Sequence, residues 1–233
     1  MTTRSDKSFS RRERPAKPAL SREWIVATAV ALMRREGLER VTMRRLAREL
    51  DTGPASLYVY VANTAELHAA VLDELLGEVD LGPVQAQAEA DWRDRLVRIL
   101  FSYTAVLFEH PGLARSALVT RPSGRHYLDL LEALLALLAE GGVPGGRAAW
   151  GVDVLLQMAT ATAAEQSTRY AAPDAQEEMD ALMAAVRGAS DRTHPQLRAL
   201  SEELFSGPGK ARLDWGFRAL INGIQQTARP DRR

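Results

Sequence analysis

The chain has 233 residues, of which 46% are apolar and 26% charged, the composition of a globular protein with a sizeable core. It has no cysteine, so disulfides, thiolate metal sites and thiol nucleophiles are excluded. The first residues carry no apolar stretch of the secretory type. The longest apolar-rich run is interrupted by charges and is too short to span a bilayer, so a cytoplasmic protein is expected.

The formal net charge of zero conceals an uneven distribution of charge along the chain. Residues 1–60 carry 13 Lys and Arg against 7 Asp and Glu, and the remainder is acidic by the same margin. A basic head on an acidic body is typical of proteins that bind a polyanion. A solvated charged face is the alternative interpretation of the same pattern.

Helix signals begin after a polar, basic segment, residues 1–19, which is predicted to be a disordered arm. Ser21 is a favourable N-cap for a first helix, and Gly37 is placed to end it in a left-handed conformation. Thr42 is the corresponding N-cap of a second, short helix. The sequence therefore predicts two helices separated by a tight connection.

Two further helices follow at once. Residues 51–53, Asp-Thr-Gly, break the second helix because Asp and Gly tolerate a left-handed turn. Pro54 suits the first turn of a third helix, predicted to end at Tyr60. Asn63, with an acidic residue three positions later, predicts the start of a fourth helix that runs to about Glu78.

The sequence beyond the plausible joint at residues 80–83 is also helical in pattern, with no strand-like alternation. Residues 147–167 are apolar on almost every side, which predicts a buried helix. The fold class is predicted to be all-α, with an N-terminal head at residues 20–80 and a second domain at residues 81–233. The other helices of that domain are predicted over residues 92–107, 113–119, 123–140, 174–187 and 208–228.

The second and third helices have the makeup of a helix-turn-helix. A first helix rich in Arg suits the phosphate backbone, and a second helix bearing hydroxyl groups suits the base edges of the major groove. The alternative is an ordinary helical hairpin with half-buried tyrosines. The predicted DNA contacts are Thr42, Arg44, Arg45, Pro54, Ala55, Ser56, Tyr58, Tyr60 and Thr64.

The same segment resembles the head of the tetracycline-repressor (TetR/AcrR) family. The matching residues are Thr42, Arg44, Leu46, Ala47, Leu50, Ser56, Leu57, Tyr58, Tyr60, Val61, Asn63 and Leu67. The chain departs from the family at Asp51, where glycine is usual, and at Ala62 and Thr64, where basic residues are common. The resemblance implies a homodimeric repressor that a small organic effector releases from a palindromic double-stranded operator.

The second domain is similar to the C-terminal domain of the tetracycline repressor itself, through Arg121-Pro122-Ser123, Tyr127 and Glu165-Gln166. By that resemblance, the position of the repressor's magnesium-ligating histidine is occupied by Ala117. A single carboxylate, Glu165, does not make a magnesium site, so no metal or cofactor is expected.

The resemblance also assigns candidate residues to two sites in the second domain. In this chain, the helices that correspond to those enclosing the effector in the family carry apolar residues and a few hydrogen-bonding groups. This mixture is typical of small-molecule sites. The predicted effector contacts are Phe101, Thr104, Leu107, His126, Trp150, Gln157, Met158 and Thr162. Helices 147–167 and 208–228 are expected to pair with their copies in a partner, against the alternative of packing within one chain. The predicted dimer contacts are Leu213, Phe217, Leu220, Ile221 and Ile224.

Other functions leave little trace in the sequence. It has no Gly-rich phosphate loop, nucleophile elbow or paired-histidine metal motif, so no enzyme is expected. A helical adaptor that has lost DNA binding is an alternative, as is an activator in place of a repressor. In the N-terminal arm, Arg11, Arg12, Arg14 and Lys17 either reach a neighbouring groove of the DNA or form a solvated tail.

Overall fold

The computed structural model describes residues 19–85, 90–120 and 122–230, and every regular element within these ranges is helical. The predicted all-α class is therefore confirmed. The first four helices form the N-terminal head: α1 is Arg22–Glu36, α2 is Met43–Glu49, α3 is Pro54–Leu57 and α4 is Thr64–Leu76. Within the described ranges, no helix combines the length and the apolar character that a membrane crossing needs. The arm residues Arg11, Arg12, Arg14 and Lys17 lie outside the described residues.

The helix ends in the head follow the local signals of the sequence. The Ser21 hydroxyl accepts a hydrogen bond from the backbone N–H of Trp24 at 3.1 Å, which caps α1. Gly37 then ends α1 with φ of 87°, a conformation that favours glycine. Asp51 adopts φ of 48° in the turn after α2, as the predicted break requires. These helix ends confirm the predicted starts and stops to within a few residues.

The third helix, predicted over residues 54–60 and called the recognition segment below, is shorter in the structure. Helix α3 ends at Leu57, three residues before Tyr60, because residues 58–60 form a turn. Asn63 caps α4 as predicted, accepting from the backbone N–H of Glu66 at 2.8 Å. The Glu66 carboxylate in turn accepts from the N–H of Ala62, so backbone groups on both sides of Asn63 are hydrogen-bonded.

The described part of the second domain contains seven helices. Their bounds are Trp92–Phe108 for α5, Pro111–Ala117 for α6, Arg125–Glu140 for α7, Gly145–Ala171 for α8, Ala175–Arg187 for α9, Pro195–Ala199 for α10 and Gly209–Gln226 for α11. Of these, α6, α7, α8 and α11 pack against α5, while α9 and α10 pack against each other. Short 3₁₀ turns lie at Leu38–Arg40, Gly82–Val84 and Glu203–Phe205. Helix α5 is the most buried of these helices because α7, α8 and α11 all pack against it.

Helix α8 is less buried within one chain than its composition predicts. One face packs on α5 and α6, but Trp150 and Val154 are 55% and 42% exposed on the opposite side. Helix α11 covers part of α8 at close range, since a β-carbon on Gly216 would overlap the Met158 side chain. The close packing of α11 on α8 is therefore a contact within one chain.

The connection between the two domains, which includes the joint predicted at residues 80–83, is anchored to the second domain. Arg95 of α5 is fully buried and donates to the backbone carbonyls of Pro83 and Val84 at 3.4 and 3.3 Å. The same guanidinium pairs with Glu140 at the end of α7. The backbone N–H of Asp80 donates to the Ser102 hydroxyl of α5. The connection therefore moves with α5 and α7.

Candidate DNA interface and effector cavity

The exposed surface of α3 and the turn after it consists of the predicted recognition residues and one more. Pro54, Ala55 and Ser56 are exposed on α3, while Leu57 points into the core and is fully buried. Tyr58 and Val59 follow, 53% and 78% exposed. A short helix that presents small, hydroxyl and aromatic side chains to solvent can contact base edges in a major groove.

Helix α2 presents two arginines on the same side. Arg44 and Arg48 are one helical turn apart, both are exposed, and neither forms an ion pair with any described residue. Two such guanidinium groups are available to phosphate oxygens. Arg48 and Val59 were not among the predicted contacts. The four-residue spacing from Arg44 was the sequence signal that could have identified Arg48.

Arg45 occupies a different environment, which argues against the predicted role in DNA binding. Its guanidinium pairs with Glu36 of α1 at 2.8 Å and with Glu49 of α2 at 2.6 Å. Arg35 joins the same group through Glu49 at 3.0 Å. Hydrogen bonds from Arg45, and then from Arg35, lower the pKa values of both carboxyl groups. This four-residue network neutralises Arg45 and ties α1 to α2.

The remaining predicted contacts lie at the edges of this surface. Thr42 is exposed, but its hydroxyl accepts from the N–H of Arg45 as the N-cap of α2. Tyr60 is half-buried against the core. Thr64 is half-buried as the first residue of α4, with its backbone at a helix N-terminus. Arg44, Pro54, Ala55, Ser56 and Tyr58 are thus exposed on α2, on α3 and in the turn after α3, and α2 and α3 pack against each other.

A cavity of about 190 Å³ lies between the head and the second domain. Helices α4, α5, α6, α7 and α8 all contribute to its wall, which is mainly apolar. Among its polar groups, the hydroxyls of Tyr103 and Thr160 are 2.7 Å apart and buried. The lining residues are Leu72, Leu76, Tyr103, Ala117, Leu118, Thr120, Pro122, Tyr127, Leu156, Gln157, Thr160 and Ala161.

Of the predicted effector contacts, Gln157 alone lines this cavity in the part of the chain that the structure describes. Phe101, Thr104 and Thr162 lie together in another groove, beside the N-terminus of α11. Leu107 is fully buried in the core. The predicted contacts thus lie on three of the five helices that form this cavity, α5, α7 and α8, and most of their side chains do not face it.

The other three predicted effector contacts have separate environments. His126 lies at the start of α7 with Nδ1 3.0 Å from the backbone carbonyl oxygen of Asp73. Met158 packs against α11 at Gly216. Trp150 stands on the outer face of α8, where the Arg229 guanidinium lies 5.0 Å from its ring centroid. The structure does not bring these residues together in one cavity.

The predicted dimer stripe on α11 divides into two sets. Phe217 and Ile221 are fully buried inside the chain, and Phe217 meets Phe101 edge to face at 5.7 Å. This burial corrects their assignment to a dimer surface, since the stripe marked the face that packs on α5 and α8. Leu213, Leu220 and Ile224 are half-buried at the margin of that core. Beyond that margin, Trp215 is 74% exposed on α11.

Comparison with known proteins agrees with this architecture. Residues 25–71 match the family described as bacterial regulatory proteins, tetR family, and residues 85–228 match the tetracyclin repressor-like C-terminal domain. An HTH-type transcriptional regulator of Saccharopolyspora erythraea is 33% identical over 216 residues, which cover 91% of this chain and 87% of that protein.

Two crystal structures extend the comparison. A candidate transcription regulator from Streptomyces is 60% identical, with a TM-score of 0.76 and coverage of 93% of this chain and 100% of that one. ActR of Streptomyces coelicolor, in complex with actinorhodin, is 33% identical, with a TM-score of 0.78 and coverage of 89% and 96%. The matches to both domains, and these relatives along most of the chain, show that this protein belongs to the tetracycline-repressor family of transcriptional regulators.

Proposed function

We propose that this protein is a repressor that a small, largely apolar organic molecule releases from a pseudo-palindromic operator. The observation that carries the proposal is the position of the cavity. Leu72 and Leu76, which line it, belong to α4, the helix that begins directly after the recognition segment. A molecule in this cavity therefore touches the DNA-binding head and the second domain at once.

The DNA side of the proposal rests on the surface formed by α2 and α3. Arg44 and Arg48 would contact phosphates, and Ser56, Tyr58 and Val59 would face the major groove. The tyrosine hydroxyl can bond a phosphate or a base edge, and the valine is an apolar partner for a thymine methyl group. A repressor of this kind needs two copies of the surface, about 34–36 Å apart, to fit two half-sites.

We infer that the two copies come from a homodimer, with a surface revised from the predicted one. The exposed apolar residues Trp150 and Val154 on α8 and Trp215 on α11 lie on neighbouring helices that already pack together. Exposed apolar residues clustered in this way are typical of protein interfaces. The half-buried Leu220 and Ile224 border a groove on the same side.

The effector would have both apolar surface and hydrogen-bonding groups. Four leucines, two alanines and a proline supply the apolar part of the wall, and Tyr103, Thr160 and Gln157 offer polar atoms within it. The bound actinorhodin of ActR supports actinorhodin as the compound to test first. Ligand sites usually measure about 300–1,000 Å³, so the cavity has to widen before such a molecule fits.

Two contacts between the domains would carry that widening to the head. Helix α4 forms one wall of the cavity and packs along α1. Helix α6, which carries Ala117 of the cavity wall, contacts the turn after α1: Arg115 pairs with Glu39 at 3.3 Å, and Gly112 approaches Leu38. A shift of α4 or α6 would change the spacing of the two recognition helices in the dimer.

The test begins with genomic DNA fragments that the wild-type protein retains. Tyr58→Ala should weaken binding to the enriched fragment by about 1–3 kcal/mol, the usual cost of one lost base contact. Tyr170→Ala is the matched control, since Tyr170 is 88% exposed but lies on α8. Equal binding by wild type and Tyr58→Ala would contradict the proposed DNA interface.

The effector claim requires a separate titration. Actinorhodin is the first probe, followed by a thermal-shift screen of other small, largely apolar organic compounds. By linkage, a compound that weakens operator binding must itself bind less tightly to the operator complex, by the same factor. Equal affinity for the free and DNA-bound protein would show that the compound is not an effector.

A further inference from the structure

We propose that Asp73 is a positioning residue that fastens α4 to the N-terminus of α7 and so holds the head in its operator-binding position. The inference rests on the proposed function and concerns the control of the same cavity. One contact between two helices supports it: the carboxylate of Asp73, a residue of α4, takes the position that the N-cap side chain of α7 would normally occupy.

The carboxylate completes the end of α7. The side chain of Asp73 is 15% exposed, and its Oδ1 accepts a hydrogen bond from the backbone N–H of Tyr127 at 3.0 Å. Tyr127 is the third residue of α7, where the N–H is normally bonded by the side chain of the N-cap residue. The N-cap here is Gly124, so α4 supplies the acceptor from outside the helix.

The glycine at position 124 allows the Asp73 carboxylate to approach the backbone of α7 closely. Its backbone, with φ of −83° and ψ of 178°, is one that any residue adopts. A β-carbon at this position would nevertheless overlap the Asp73 carboxylate. His126 adds a second attachment, because its Nδ1 lies 3.0 Å from the Asp73 carbonyl oxygen. Helix α4 is thus held to α7 through both the side chain and the backbone of one residue.

This attachment joins two walls of the effector cavity. Leu72 and Leu76 line it from α4, and Tyr127 lines it from α7. The hydrogen bond from the Tyr127 N–H to Asp73 spans the same gap that an entering molecule would have to widen. The bond therefore favours the narrow cavity, and its loss favours the widened state in which the head is displaced. The positive end of the α7 dipole lies at this N-terminus and further favours a carboxylate there.

The main test measures operator affinity without any effector, using the DNA fragment enriched by the wild-type protein. Asp73→Ala removes the acceptor and should weaken binding on the order of tenfold, because the operator-binding state becomes less populated. Asp73→Asn keeps an acceptor oxygen and should bind within about twofold of wild type. Glu74→Ala, at the exposed neighbouring carboxylate, should leave the affinity unchanged.

Gly124→Ala provides an independent perturbation, since it displaces the carboxylate while leaving it in the sequence. It should weaken operator binding about as much as Asp73→Ala. The double variant should bind like Asp73→Ala alone, because both changes break the same contact. If Asp73→Ala does not fold, Gly124→Ala and its comparison with Asp73→Asn decide the question.

Hydrogen exchange distinguishes positioning from general stabilisation. The Tyr127 amide should exchange faster in Asp73→Ala and in Gly124→Ala than in wild type. Lower melting temperatures with unchanged operator affinity, additive effects in the double variant, or an unchanged Tyr127 exchange rate would each overturn the inference. Failure of the wild-type chain to retain any DNA fragment is a separate result, which would overturn the proposed function itself.

Discussion

Replacing Arg44 by alanine should change how operator binding responds to salt, in addition to its strength. Each phosphate neutralised by a protein cation contributes about 0.9 to the slope of log K against log salt concentration. Two copies of Arg44 in a dimer should therefore lower the slope by about 1.8. Between 50 and 200 mM salt, this difference amounts to about 12-fold in the ratio of wild-type to variant affinity.

The measurement is fluorescence anisotropy with a labelled operator over this salt range. Arg45→Ala is the matched control because it removes the same charge from the next position of the same helix. Glu36 and Glu49 already neutralise Arg45, so the slope should stay close to that of wild type. Parallel salt plots for wild type and Arg44→Ala, or an equal fall in slope for Arg45→Ala, would refute the assignment of the two arginines.

Three other predictions follow from the packing and the charges. Trp215→Glu should give folded monomers by sedimentation, because the side chain is exposed in one chain, and a dimeric variant would contradict the proposed interface. Phe217→Ala should instead lower the free energy of unfolding by about 3–5 kcal/mol, because a fully buried ring is lost. The hydrogen bond from Arg45 lowers the pKa of Glu36 in the folded protein, so the ionised carboxylate stabilises the fold. This stabilisation is present at neutral pH and is lost as the pH falls and Glu36 becomes protonated. The melting temperature of Glu36→Gln should therefore fall less between neutral and acidic pH than that of wild type. An equal fall in the two proteins would count against the network. Asn63→Ala should cost about 1 kcal/mol in a denaturant titration, since the N-cap of α4 is lost.

The head was predicted well because its helix ends are determined locally. Ser21, Thr42 and Asn63 cap helices through side chains that bond backbone groups three residues away. Such bonds depend on neighbours in the sequence and can be identified without knowing the fold. The roles of Arg44 and Arg45 could not be separated in this way, because Glu36, which neutralises Arg45, comes from another helix.

The second domain was predicted less completely because periodicity does not identify what covers a helix face. The stripe through Phe217 and Ile221 correctly marks one side of α11, but that side packs inside the chain. The proposed effector cavity has the same difficulty, since its wall takes between one and four residues from each of five helices. Which side chain of each helix faces the cavity depends on the rotation of the helices in the bundle.

The location of Leu72 and Leu76 has a consequence for engineering this protein as a biosensor. Substitutions that retune the sensor toward a new compound would fall on the same helix that supports the recognition segment. Directed evolution for altered specificity should therefore yield many variants with raised basal expression of the reporter, as unliganded repression weakens. Alternating rounds of selection for silence without inducer and for response to it would preserve dynamic range. Libraries at Gln157 and Thr160 on α8 should show less of this leakage.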